Sequence, residues 1–361
     1  MKKILSVVLC LVFLPSLFTF SVFADDAPDI SAKSAVLIDS VTGRVLYAKN
    51  ENEQRAMAST TKIMTTLLCL ESGDLDTEFV VDSEAIKTEG SSMGLVEGDI
   101  VTKRALCAGM LLPSGNDAAN ATAIKLAGSF PAFADMMNKR AEEIGMKNTC
   151  FETPSGLDGE NHHSTAYDMA LLTREALKNP DFADICSQTE ITLEYGNPPY
   201  RRTLKNTNKL LSMYDGCIGV KTGFTDNAGR CLISAAEKNG VTLICVTLSA
   251  PDDWNDHTKL LDYGFKKLKN YSVGLSPYAK KVPVVGARED TLTLCSDTNG
   301  IIPLQNGEFS KLEVKVLTPK FVYAPVKKGD KIGSIEYSVN GENIFTENLY
   351  ASQDLEVNDG C

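Results

Sequence analysis

Two β-hairpin signatures stand far apart in this chain, and whatever lies between them must let their strands share one sheet. Residues 35–40 and 44–49 are β-prone runs joined by Val41, Thr42 and Gly43. Residues 231–236 and 241–248 flank Asn239 and Gly240, a dipeptide that supplies the positive φ of a tight turn. Residues 217–222 read as one further strand. Hairpin strands run antiparallel, so the five runs predict a five-stranded, mostly antiparallel sheet. The intervening chain is helical in pattern. Residues 62–70 are apolar on several faces, which predicts a helix buried at the centre. Phe130, Phe133, Met136, Met137 and Ile144 recur at helical spacing before Gly145. Thr165 to Asp168 fits a capping box ahead of a helix carrying Met169, Leu171, Leu172 and Leu177. Helices inserted within such a sheet predict an α+β domain over residues 30–270 with helices on both faces.

Around residues 267–273 the texture changes. Short β-like runs at 292–294, 312–317, 321–323, 332–337 and 343–346 are punctuated by glycine turns, which predicts a small all-β sandwich over 276–350 and a tail at 351–361. At the other end, Lys2 and Lys3 precede an apolar run, and Val22, Phe23 and Ala24 offer a cleavage site. Residues 1–24 therefore read as a secretory signal peptide, placing the mature protein outside the cytoplasm, on the cell-wall side of the membrane or secreted.

Composition excludes several classes. Forty-seven acidic residues against 36 basic ones give a net charge of −11, which argues against nucleic acid as a partner. The ten cysteines are widely spaced with no Cys-x-x-Cys pair, so neither a disulfide framework nor a structural zinc site is expected. Cys69, Cys231 and Cys245 lie in hydrophobic runs and read as buried fillers. His162 and His163 are adjacent and point apart, and His257 stands alone; no metal and no cofactor are expected.

Three short motifs carry chemistry, in order. Ser59 and Lys62 are three residues apart at a helix start, so hydroxyl and amine share a face. The lysine can remove the serine proton if burial or a neighbouring cation depresses its pKa. Ser114 and Asn116 follow Pro113 in a loop between helices; the serine can relay a proton, and the amide can hold a substrate carbonyl or orient the lysine. Lys221, Thr222 and Gly223 close a predicted strand, where cation and hydroxyl can engage a carboxylate and glycine lets a peptide approach. The N–H groups of Ser59 and Phe224 are then candidates for an oxyanion hole. A Ser-x-x-Lys spacing alone arises about once or twice by chance in a chain this long; the ordered set is the signal.

That set resembles the Ser-x-x-Lys, Ser-x-Asn and Lys-Thr-Gly signature shared by class A β-lactamases and penicillin-binding proteins. Ala58-Ser-Thr-Thr-Lys-Ile-Met-Thr65, Leu112-Pro-Ser-Gly-Asn-Asp-Ala118, Ser155-Gly-Leu-Asp158, Ser164-Thr-Ala166 with Asp168, Gly219-Val-Lys-Thr-Gly-Phe-Thr225 and Leu261-Asp-Tyr-Gly-Phe265 are similar to the low-molecular-mass D-alanyl-D-alanine carboxypeptidases. The resemblance spans about residues 30–350. It implies a β-lactamase/transpeptidase-like domain followed by the β module, and removal of the terminal D-alanine from peptidoglycan stem peptides. Ser59 would be the nucleophile, activated by Lys62. Ser114 and Asn116 would assist, Lys221 and Thr222 would bind the terminal carboxylate, and β-lactams would acylate the same serine. Two departures stand out. The arginine that relatives carry between the last catalytic-domain strand and the closing helix is absent from residues 250–257, and the tail lacks the amphipathic stripe of membrane-attached relatives. Two enzymatic alternatives on the same scaffold are a DD-endopeptidase and a β-lactamase, the latter raised by Glu152. A third reading, a wall-binding protein with vestigial motifs, runs against intact Ser59, Lys62 and Lys221.

Overall fold

The computed structural model describes residues 27–273, 281–298 and 300–358; the expected signal peptide lies outside them. Strands β1 (Ser34–Asp39) and β2 (Val45–Lys49) form the first hairpin. Its turn is held by the Asp39 carboxylate, which accepts from the N–H groups of Val41 and Thr42. Helix α1 (Lys62–Glu71) follows, then the short pair β3 (Phe79–Val80) and β4 (Ile100–Val101). Helices α2 (Lys103–Leu111), α3 (Asn116–Ala127), α4 (Phe130–Ile144), α5 (Ala166–Ala176) and α6 (Pro180–Ser187) complete the helical insertion. A ribbon of β5 (Glu190–Gly196) and β6 (Pro199–Lys205) leads through α7 (Leu210–Met213) into β7 (Cys217–Thr225), β8 (Gly229–Lys238) and β9 (Val241–Leu248).

The five expected strands do share a sheet, ordered β2-β1-β9-β8-β7, with every pairing antiparallel. Asn239 and Gly240 take φ of 52° and 75° at the β8–β9 turn, as that dipeptide requires. One sheet face packs through Val36, Ile38, Ile233 and Val246 against the insertion, and the other through Leu37, Leu232, Leu243 and Cys245 against α8 (Asp253–Lys267). The nine residues Lys62–Leu70 of α1 are all buried, because this helix has neighbours on every side. In α4 the buried stripe is Phe133, Met137 and Ala141, whereas Phe130 and Met136 remain partly exposed. The Thr165 side chain caps the Asp168 N–H, but the Asp168 carboxylate does not reach back. It accepts instead from Asn148 N and Thr149 Oγ1, tying down the preceding loop.

After α8 the chain enters an all-β unit. Strands β10 (Leu268–Ser272) and β13 (Ile301–Gln305) pair with each other. A six-stranded sheet is built from β11 (Lys281–Val285), β12 (Thr291–Cys295), β14 (Leu312–Leu317), β15 (Val322–Tyr323), β16 (Lys331–Val339) and β17 (Glu342–Ala351). Ile302 and Leu304 of the two-stranded layer pack with Val282, Leu292, Ile335 and Leu349 of the larger sheet, giving two layers around one core. Among the described residues no helix is long and apolar enough to cross a membrane.

Candidate active site

A turn of 3-10 helix, Ala58–Thr61, runs directly into α1 and sets Ser59 one turn ahead of Lys62. Lys62 is wholly buried, and its Nζ lies 2.9 Å from Ser59 Oγ, 2.7 Å from Asn116 Oδ1 and 2.6 Å from Ser155 O. Three oxygens around a desolvated amine hold it in place but do not supply a counter-charge. Burial, reinforced by the nearby Lys221 charge and opposed by Asp117, pushes the Lys62 amine well below the usual lysine range.

Ser114 and Asn116 come from the α2–α3 connection. Ser114 has a φ of 65°, a left-handed conformation that costs a non-glycine residue on the order of 1 kcal/mol. It lines the same cleft as Ser59. The Asn116 amide spans two elements: Oδ1 accepts from Lys62, while Nδ2 donates to Glu89 O on the cleft rim. The next residue, Asp117, accepts from the N–H groups of Met93, Gly94 and Leu95 and from the Ser92 hydroxyl. One helix start thus fixes both the amine and the rim.

The Lys-Thr-Gly run does not end a strand. It lies inside β7, which continues to Thr225 and forms one edge of the sheet. An edge strand leaves backbone groups unpaired, and an extended peptide can add to them. Lys221 is buried and its Nζ donates to Thr222 O at 2.9 Å; burial holds its amine down at about 7. Thr222 Oγ1 lies 2.7 Å from Thr207 Oγ1 at the cleft wall. A Cβ on Gly223 would fall 3.1 Å from both Met57 O and Ser59 N, so glycine is what lets β7 abut the turn carrying Ser59. Phe224 is 63% exposed at the mouth.

Ser59, Ser114, Asn116, Thr222, Gly223 and Phe224 all line one cleft of about 690 Å³. Lys62 and Lys221 lie buried beside it. Sequence reasoning missed several supports. Ser155 supplies a carbonyl to Lys62, and His162, whose Nδ1 accepts from Glu152 N, meets Thr61 Oγ1 at 2.9 Å. Burial pushes the His162 ring down to about 4. The β5–β6 ribbon props the rim through Tyr195 Oη to Met93 O and Arg202 to Gly94 O. Alternation of Ile191, Leu193 and Tyr195 before Gly196 was the available signal for it. Glu152 accepts from Asn161 N–H at 2.9 Å and does not line the cleft. His257 is wedged between Ser234 Oγ and Thr247 Oγ1, and burial pushes it down to about 3.

Known proteins share this arrangement of chain. The sequence profile of the D-alanyl-D-alanine carboxypeptidase family matches residues 21–252, and that of the penicillin-binding protein 5 C-terminal domain matches residues 265–357. The chain is 34% identical to the D-alanyl-D-alanine carboxypeptidase DacF of Bacillus subtilis, over 99% of this chain and 95% of that one. It is 31% identical to DacC of Escherichia coli, over 92% and 86%. Among solved structures, penicillin binding protein 5 of Haemophilus influenzae superposes with a TM-score of 0.69 at 29% identity, covering 91% of this chain and 98% of the other. A Streptomyces DD-transpeptidase gives 0.64 at 34% identity over 66% and 98%. With one family profile matching most of its length and a full-length relative at this identity, the chain belongs to the D-alanyl-D-alanine carboxypeptidase family.

Proposed function

We propose that this protein is a serine D-Ala-D-Ala carboxypeptidase that removes the terminal D-alanine from peptidoglycan stem peptides through a Ser59 acyl-enzyme. The observation that carries the reading is the buried Lys62 amine, 2.9 Å from Ser59 Oγ and held by two further oxygens. A neutral amine donates two protons and accepts one. Its N–H groups go to Asn116 Oδ1 and Ser155 O, which turns its lone pair to the Ser59 hydroxyl.

As Ser59 Oγ bonds to the penultimate D-alanine carbonyl carbon, the hydroxyl proton passes to Lys62 Nζ. The N–H groups of Ser59 and Phe224 receive the developing oxyanion. Collapse breaks the peptide bond, and the Lys62 proton reaches the departing amine through the Ser114 hydroxyl, which gains one proton and loses one. Water then gives a proton to Lys62 and its oxygen to the acyl carbon; the same proton returns to Ser59 as the ester breaks. Asn116 orients Lys62, Thr222 meets the terminal carboxylate with the buried Lys221 adding positive charge behind it, and Gly223 admits the peptide to the β7 edge. β-Lactams would acylate Ser59 by the same attack. Residues 30–270 would form the catalytic unit and 276–350 the β module. The enzyme would act outside the cytoplasm after removal of residues 1–24, on the wall side of the membrane or released.

Fluorescent penicillin tests this. Wild-type protein should label covalently at one site and release D-alanine from a D-Ala-D-Ala peptide. Ser59→Ala and Lys62→Arg, whose guanidinium stays protonated, should label at least 1,000-fold more slowly, the order expected for loss of nucleophile or base. Wild type that never labels overturns the proposal, and label shed within seconds would reassign the chain as a β-lactamase.

A further inference from the structure

A stem peptide ends in a carboxylate, and the cleft needs a cation placed to meet it. Lys221 is 1% exposed, donates to Thr222 O and pairs directly with Ile233, on the sheet face that packs against the helical insertion. With burial holding its amine at about 7, it is only partly charged near neutrality. The residues 250–257 contain no arginine.

Strand geometry points elsewhere. Side chains alternate along β7, so Thr222 and Phe224 share the face opposite to Lys221. Phe224 pairs directly with Arg230 of β8, and directly paired residues project from the same face. Arg230 therefore stands on the Thr222 side, about two strand residues or 7 Å along from it. It lines the Ser59 cleft together with Asp253 and Trp254. Its guanidinium is held: Nε and Nη2 donate to Asp253 Oδ1 at 3.0 and 2.8 Å, and the group sits 5.4 Å from the Trp254 ring centroid. The Asp253 side chain is 4% exposed, whereas that of Arg230 is 42% exposed. These bonds to Asp253 use the Nε–Nη2 edge of the guanidinium, and the side chain lines the cleft.

We propose that Arg230 is the specificity-determining cation that receives the terminal carboxylate of the peptide, with Thr222 beside it and Asp253 fixing its orientation. An arginine on β8 would then do the work that relatives assign to the segment before the closing helix. A guanidinium can bind a carboxylate through paired N–H groups. This inference rests on the carboxypeptidase reading.

The test compares one synthetic peptide ending in D-Ala-D-Ala with its C-terminal carboxamide, on the full chain. Wild type should favour the acid by about 30-fold or more in kcat/KM, the range of a charge-assisted contact. Arg230→Gln should lower kcat/KM for the acid about 30-fold and for the amide less than threefold, so the preference collapses. Arg230→Lys, which restores the charge and can still meet Asp253, should recover part of it. Equal losses on acid and amide, an unchanged preference, no recovery in Arg230→Lys, or collapse in Lys209→Gln instead, the other cation on the cleft wall, would each overturn the assignment. Labelling of Ser59 by saturating fluorescent penicillin separates the two readings. If wild type does not label, the enzyme assignment falls; if wild type and Arg230→Gln both label while the acid preference persists, only the role of Arg230 falls.

Discussion

Two lysines with opposite surroundings to those of an ordinary surface lysine dominate the residue scale. Lys62 and Lys221 are both buried with no carboxylate partner among the described residues, and desolvation lowers the pKa of each. For Lys221 the folded value of about 7 lies below the ordinary 10.5. Between those values the unfolded chain binds a proton that the folded chain does not. The associated stability is complete above pH 10.5 and falls as pH drops towards 7, with a slope of up to about 1.4 kcal/mol per pH unit. Lys221→Met should therefore flatten the rise of the urea midpoint between about pH 7 and pH 10, while Lys62 leaves a residual slope of the same sign. An unaltered slope would mean that Lys221 is charged in the folded protein. Both lysines were legible in sequence through their motifs. Their protonation state was not, because it follows first from burial by segments distant in the chain.

At the scale of elements, the site is a meeting of three backbone turns whose close approach rests on glycine. Gly156 has a φ of +82°, and a Cβ there would fall 2.0 Å from Ala58 O. The loop bearing Ser155 can thus press on the turn bearing Ser59 only with hydrogen at this position. Gly156→Ala should lower stability by about 3 kcal/mol, from the left-handed strain plus the displaced turn. It should also slow penicillin labelling more than 10-fold, read from denaturant midpoints and labelling rates on the same sample. Unchanged labelling would show that the loop does not position Lys62. Hairpins were the most readable elements, since Asn239-Gly240 and the alternation beside it are local signals. The β5–β6 ribbon was harder to see, because its outer face is exposed and its role lies in gripping Met93 and Gly94 across the cleft rim.

Over the whole molecule, the two units are joined by more than continuity of chain. Arg44, next to β2, donates through Nη1 and Nη2 to the two oxygens of Glu308 at 2.9 and 2.6 Å, and both side chains are 18% exposed. A paired, half-sheltered contact of this kind exceeds an ordinary surface ion pair. A double-mutant cycle on Arg44→Ala and Glu308→Ala should return a coupling of about 1 kcal/mol in global stability. A coupling near zero would show the units to be linked by α8 and β10 alone. The amino-acid sequence by itself determined the antiparallel sheet, the central helix, the β module and the three motifs that the cleft gathers, since each is written in local periodicity, turn residues or short spacing. Only the tertiary structure decided that Lys62 is stripped of solvent, that β7 is an edge strand, and that Arg230 shares a face with Thr222. Those properties belong to contacts between segments far apart in the chain, and burial, charge state and strand order have no local code.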